Sequence, residues 1–245
     1  MFSILISSAV AAVLMAAMKI RFDYWSAILV GVLGGIGTFI LLMRRSRKQL
    51  DASMGEIEGH VKAQRIEKAI QVIEGLKPLG RWQPGLGASL EGQIGMLRYA
   101  HLRDFEGARP HLERAHSRLW QAWAMLAVAH FKKDRFDEMQ AVFEKAVKRN
   151  KGDGMLWMAY GYCEWKRNRR TEAIQVLGRA LAACPKDERI KHQLEALQNG
   201  KKMKMNHNDP EWLALHLEKT LPPGQNPNRP RFMPPARRLG MRHMR

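Results

Sequence analysis

The side chains in this sequence that could do chemistry are few and scattered. His111 and His116 stand near each other, but no further ligand follows at metal-binding spacing, and the helix that carries them reads as basic and exposed. Cys163 has no CxxC partner and no nearby histidine, so it reads as a small packed hydrophobe. With Cys184 it forms no disulfide framework, which fits a reducing compartment. Gly85-Leu86-Gly87 follows no strand and is not completed by a phosphate-binding lysine, and Pro84 beside it suits a turn. None of these residues makes a nucleophile–base pair, a metal cluster or a phosphate cradle. The chain is read as a non-enzyme without metal or cofactor.

Charge points elsewhere. The 245 residues carry a formal net charge of +18, and the two ends hold a disproportionate share of it. Residues 1–50 have six Lys/Arg against one Asp, and 201–245 have ten against three. Basic ends around a milder core suit anionic lipid or nucleic acid, or else positive-inside topology plus a solvated tail.

The elements that must position these charges begin with two apolar runs. Phe2–Met18 is uncharged, Lys19–Asp23 interrupts, and Tyr24–Met43 resumes the apolar pattern. Seventeen and twenty residues at about 1.5 Å each come close to the hydrocarbon thickness of a bilayer. They predict a two-helix membrane hairpin with Tyr24 and Trp25 at an interface. A cleaved signal peptide fits the first run less well, since it has no basic start and no small-x-small site. Arg44, Arg45, Arg47 and Lys48 then place that end, and the N-terminus, in the cytoplasm. Small residues at helical spacing predict the packing faces: Ser8, Ala12 and Ala16 on the first helix, Gly31 and Gly35 on the second. Such faces serve either the hairpin itself or other membrane subunits.

Leu50–Leu76 reads as one long amphipathic helix, and Pro78, Gly80, Pro84, Gly85 and Gly87 as a loop. Beyond it the chain repeats. Trp123 and Trp157 lie 34 residues apart, and in the same register Leu126 aligns with Tyr160, Ala127 with Gly161, Met139 with Ala173, Phe143 with Leu177 and Ala146 with Ala180. A further copy (Tyr99, Phe105, Ala108, Leu112, Ala115) begins near Ser89 at a spacing of 31 residues. Gly92 and Gly95 stand in it where bulk is expected. Lys186–Asn199 reads as an amphipathic capping helix with Ile190, Leu194 and Leu197 inward. This period and pattern resemble the tetratricopeptide repeat family over Ser89–Asn199.

The resemblance implies antiparallel helix pairs stacked into a solenoid, with the first helix of each unit lining a concave groove. Carried over by position, the groove residues are Leu90, Gln93 and Leu97, then Gln121, Ala124, Val128 and Phe131, then Met155, Met158, Tyr162 and Trp165. Lys132, Lys166 and Arg167 rim it, placed to meet acidic residues. Met and aromatic side chains suit a helix or peptide partner; the alternative is that they pack against the neighbouring unit or the capping helix. Gln93 and Leu97 stand where chaperone-binding relatives carry Lys and Asn, so a chaperone C-terminus is not implied.

The tail begins with a basic linker, Gly200–Asn208, and a short helix, Asp209–Thr220, with Asp209 as N-cap. Arg229, Arg231, Arg237, Arg238, Arg242 and Arg245 follow among six prolines in 221–245. That composition predicts an extended arm for anionic lipid or for ordering on a partner. Sparse aromatics argue against a nucleic-acid platform.

The expected fold is all-α: a transmembrane hairpin (1–43), a juxtamembrane basic stretch, helix and loop (44–88), a solenoid (89–200) and a basic tail (201–245). The expected function is a membrane-anchored adaptor that organises protein partners on the cytoplasmic side, two-pass, in a bacterial inner membrane. The alternative is an accessory subunit of a larger membrane complex, with the hairpin as an interface.

Overall fold

The computed structural model describes residues 2–19, 24–206 and 209–218, and every regular element among them is a helix. Helix α1 (Phe2–Lys19) and helix α2 (Tyr24–Lys62) pack antiparallel: Gly31 faces Ala11 and Met15, and Gly35 faces Ser7 and Ala11. A Cβ at Gly35 would lie 2.9 Å from the Ala11 Cβ and 3.1 Å from the Ser7 carbonyl, so glycine is what permits the approach. The face that α1 presents is not the expected one. Ser8, Ala12 and Ala16 are exposed, whereas Ser3 and Ser7 are buried. The two small-residue stripes are one residue apart, about 100° around the helix.

Helix α2 does not stop where its apolar stretch ends. It runs 39 residues without a break, and its last turns join the core of the helices that follow. Ile57, with Leu50, Met54 and Val61, packs on Ile66, Ala69, Ile70 and Ile73 of helix α3 (Ile66–Gly75). The single helix expected over 50–76 is therefore two, split at Ala63–Arg65. There Gln64 takes a left-handed φ of 59° and the Arg65 N–H donates to the His60 carbonyl at 2.8 Å.

That turn recurs. Left-handed residues stand at Arg103 (φ 54°), Asp134 (φ 56°) and Asn168 (φ 62°). They mark the tips of three more hairpins: helix α4 (Leu86–Leu97) with α5 (Phe105–Glu113), α6 (Trp120–Phe131) with α7 (Phe136–Arg149), and α8 (Gly154–Lys166) with α9 (Arg170–Ala183). Asn and Asp tolerate this conformation best, and they occupy it in the two regular copies. Helix α10 (Glu188–Gln198) closes the stack, with Asp187 accepting from the Arg189 N–H at its start.

The last turns of α2 and helix α3 thus form the first pair of the stack. The α4–α5 pair is tighter than its sequence suggests. A Cβ at Gly95 would lie 2.8 Å from Leu112 Cδ2 and 3.0 Å from the Leu112 backbone N. Gly95 is what lets α5 close on α4, as Gly161 admits Leu177 at 3.0 Å in the last unit, while Gly92 makes room for Ala115 and Leu119 in the connection that follows α5. His111 is half-buried and not on an open face. Its Nδ1 lies 2.6 Å from Glu91 of α4, with Lys77 Nζ 2.9 Å from the other carboxylate oxygen. Burial alone would raise the Glu91 pKa, but the His111 and Lys77 hydrogen bonds outweigh it and hold the carboxyl below its ordinary range.

Between the regular copies similar devices recur, with donors 34 residues apart. The Trp123 indole donates to the His116 carbonyl at 3.2 Å, and the Trp157 indole to the Lys151 carbonyl at 3.0 Å. Asn150 donates to the Ser117 carbonyl at 3.0 Å, and its counterpart Cys184 donates its thiol to the Lys151 carbonyl at 3.3 Å. Phe143 of α7 stacks on Tyr160 of α8, ring centroids 4.8 Å apart. The Arg179 guanidinium donates two bonds to Glu144, at 2.7 and 2.8 Å.

Candidate functional site: a groove and the strap that fills it

The first helices of the units, α4, α6 and α8, present the side chains expected to line the groove. Leu90 is fully buried, but against α2 and α3 and not in the groove, and Leu97 packs at the edge of the same cluster. Gln93 and Gln121 are half-buried. Ala124 and Val128 are buried in the main core, and Phe131 is half-buried against Phe136, ring centroids 6.3 Å apart.

The apolar end is where expectation and structure diverge. Met155, Met158 and Tyr162 are 4 %, 2 % and 0 % exposed. The chain's own tail covers them. After α10 the backbone turns back: Met203 and Met205 are buried, and a short helix α11 (Pro210–Ala214) seats Trp212 against Tyr162, ring centroids 4.9 Å apart and nearly perpendicular. Asp209 caps α11, as its position before Pro210 predicts, but the helix ends earlier than Thr220. The expected linker is therefore not free. Met203 and Met205 alternate along an extended stretch, so both point one way, which is the signal that could have revealed it.

Side chains of the solenoid hold this strap largely by its backbone. The Gln193 amide donates to the Lys204 carbonyl at 2.6 Å and accepts from the Lys204 N–H at 3.0 Å. The Tyr99 hydroxyl donates to the Leu215 carbonyl at 2.9 Å, and His216 Nε2 lies 2.9 Å from the Ala100 carbonyl. The Tyr162 hydroxyl donates to Glu218 at 2.6 Å, a charge-assisted bond. Burial, then the Glu218 bond and charge, push the Tyr162 phenol above its ordinary pKa; burial does the same for Tyr99. Beside the strap a cleft of about 320 Å³ opens between α8 and α10, with Met158, His192, Met205 and Trp212 among its walls.

The rim cations do not await acidic residues; they lie on the chain's own rings. Lys132 Nζ sits 4.2 Å from the Phe105 centroid and 5.3 Å from that of Tyr99. Burial there, with Arg103 nearby, lowers its pKa to about 8. Lys166 covers Tyr162 and Trp165 at 5.1 and 5.0 Å. Arg167 turns inward, donating to both oxygens of the fully buried Glu164 at 3.2 Å while stacking 4.1 Å from the Phe136 centroid. Cys163, fully buried, has its thiol pushed up by burial first and by Glu164 next, so it is a packed group. The arginines at 229, 231, 237, 238, 242 and 245 lie outside the described residues.

A known family accounts for the core of this arrangement. Residues 124–188 match the model of the tetratricopeptide repeat. The match runs from within α6 to the first residue of α10, the two regular copies and their shared interface. No curated protein matches the chain. Tetratricopeptide repeats generally mediate protein–protein interaction.

Acid should loosen the strap. Burial lowers the His216 pKa first; the Ala100 hydrogen bond opposes this, and Lys132, Arg103 and His101 reinforce it. A histidine depressed on folding favours the docked strap fully above its unfolded pKa of about 6.5 and progressively less as pH falls below that value. Limited proteolysis of the strap should therefore accelerate between pH 8 and pH 5. His216→Gln should abolish most of that change; His130, also depressed by burial and by Arg135 and Arg109, and Lys132, lowered to about 8, contribute the remainder.

Proposed function

We propose that the chain is a membrane-anchored tetratricopeptide-repeat adaptor, two-pass, with its repeats on the cytoplasmic side, where they bind or organise a protein partner. The observation that carries the reading is the continuity of α2. The stretch from Ile28 onward is long and apolar enough to cross a membrane, and the same helix ends as part of the solenoid core. An anchor fused in this way passes its orientation to the repeats without a flexible joint. A second junction supports it: the Ser3 hydroxyl donates to the Trp82 carbonyl, and Phe2 lies 5.9 Å from the Trp82 ring. Trp82, 38 % exposed and next to Arg81, has the chemistry of a side chain at the headgroup level.

A second reading, an accessory subunit of a larger membrane complex, is favoured by one observation. Ser8, Ala12 and Ala16 lie exposed on α1, a small-residue face that α2 leaves uncovered.

Alkaline carbonate should leave the chain in the membrane pellet, and protease added to right-side-out vesicles should leave the repeats intact. Cleavage of the solenoid from outside would overturn the topology. Migration in mild detergent separates the readings: an adaptor runs with a dissociable partner, an accessory subunit in a stable assembly that Ala12→Leu breaks.

A further inference from the structure

We infer that Met203–Asn206 and Asp209–Glu218 are a resident ligand of the groove, and that the groove exchanges them for a partner segment of the same chemistry. Three observations carry this. The solenoid is complete without the strap: α10 already caps the last unit with Ile190, Leu194 and Leu197, and the repeats pack through contacts such as Phe143 on Tyr160. The strap is also gripped as a peptide is. Gln193 reads both the N–H and the carbonyl of Lys204, and Tyr99 reads the carbonyl of Leu215, bonds indifferent to strap side-chain identity. Finally, α11 spans five residues, too short to be stable by itself, so its helix exists because the groove holds it.

The side chains that are read define the partner. Two unbranched apolar residues alternate on an extended stretch, as Met203 and Met205 do. Then come a large aromatic, an apolar residue three positions on, and a carboxylate three beyond that, in the pattern of Trp212, Leu215 and Glu218. The Trp212 N–H has no partner among the described residues, so its seat selects a ring by shape. The carboxylate meets the Tyr162 hydroxyl. A covalent tether this short keeps the resident segment at an effective concentration on the order of mM, so a free segment binding at micromolar strength cannot enter until the strap leaves. The groove is gated by the chain's own tail.

This inference rests on the adaptor reading only for what the partner is; exchange can be measured in detergent whatever the topology. A protease site replacing Gly200–Lys202 of the full chain cuts the tether while leaving the strap in place. A fluorescent peptide of residues 201–220 should then bind saturably to the cut protein and at least about tenfold more weakly to the uncut one. The same peptide carrying Trp212→Ala should compete about thirtyfold more weakly. Equal binding to cut and uncut protein overturns the gating. No binding after the cut, or loss of the solenoid's helical circular dichroism when the strap departs, makes the strap a structural element and overturns the inference. Either failure leaves carbonate extraction and protease protection, and so the adaptor reading, to stand or fall separately.

Discussion

Replacing Phe143 with alanine is expected to destabilise the repeats by about 3–5 kcal/mol, the range for emptying a large aromatic site in a packed core. The side chain is fully buried and stacks on Tyr160 at an interplanar angle of 11°, so it joins the two regular units and not merely the helices of one. A solenoid is stabilised by nearest-neighbour interfaces. Loss at this position should therefore uncouple α6–α7 from α8–α9 and broaden the thermal transition as well as lower it. Calorimetry of the purified chain checks both. Phe143→Leu, which keeps most of the volume, should recover more than half of the loss. A sharp transition at unchanged temperature in Phe143→Ala would show that the interface is carried elsewhere.

The second large effect is expected at Glu164. Its carboxylate is 1 % exposed and accepts from Gln140 of α7 at 2.8 Å as well as from Arg167. Removing one member of a buried pair leaves the other charge without compensation, which typically costs about 3–5 kcal/mol. Glu164→Ala should fall near the lower end, because Arg167 keeps the face of Phe136. Adding Arg167→Ala to Glu164→Ala should cost less than the separate losses combined, the sign of a coupled pair. Urea denaturation of the four variants completes the cycle, and simple additivity would remove the coupling.

How much of this was legible depended on how local each feature is. Small and large residues recurring at 34 positions carry the α6–α7 and α8–α9 hairpins, because each pair closes on residues near in sequence. The turns at Asp134 and Asn168 are readable for the same reason, since those residue types favour the left-handed conformation. Gln64 adopts that conformation against its preference, held by the packing of α3 on α2, and the helix break there went unseen. Gly92 and Gly95 looked like defects because the side chains that need their space, Leu119 and Ala115 for the first and Leu112 for the second, stand more than fifteen residues away. The partial match to the repeat family has the same limit: it covers the regular copies and passes over those whose spacing departs from the period.

By itself, then, the sequence determined the helical class, the repeat period and the two apolar N-terminal runs. Each is a property of residue type at short spacing, where side-chain periodicity and backbone preference act directly. The tertiary structure alone decided that Ser7 and Ala11, rather than Ser8 and Ala12, face α2, and that α2 continues past its apolar stretch to pack on α3. It also decided that the Met and aromatic face of α8 is covered by the chain's own tail. The last outcome rests on pairs such as Tyr99 with Leu215 and Tyr162 with Trp212, far apart along the chain. Whether such a pair forms depends on burial gained against chain entropy lost over the whole intervening loop, a balance that no local pattern records.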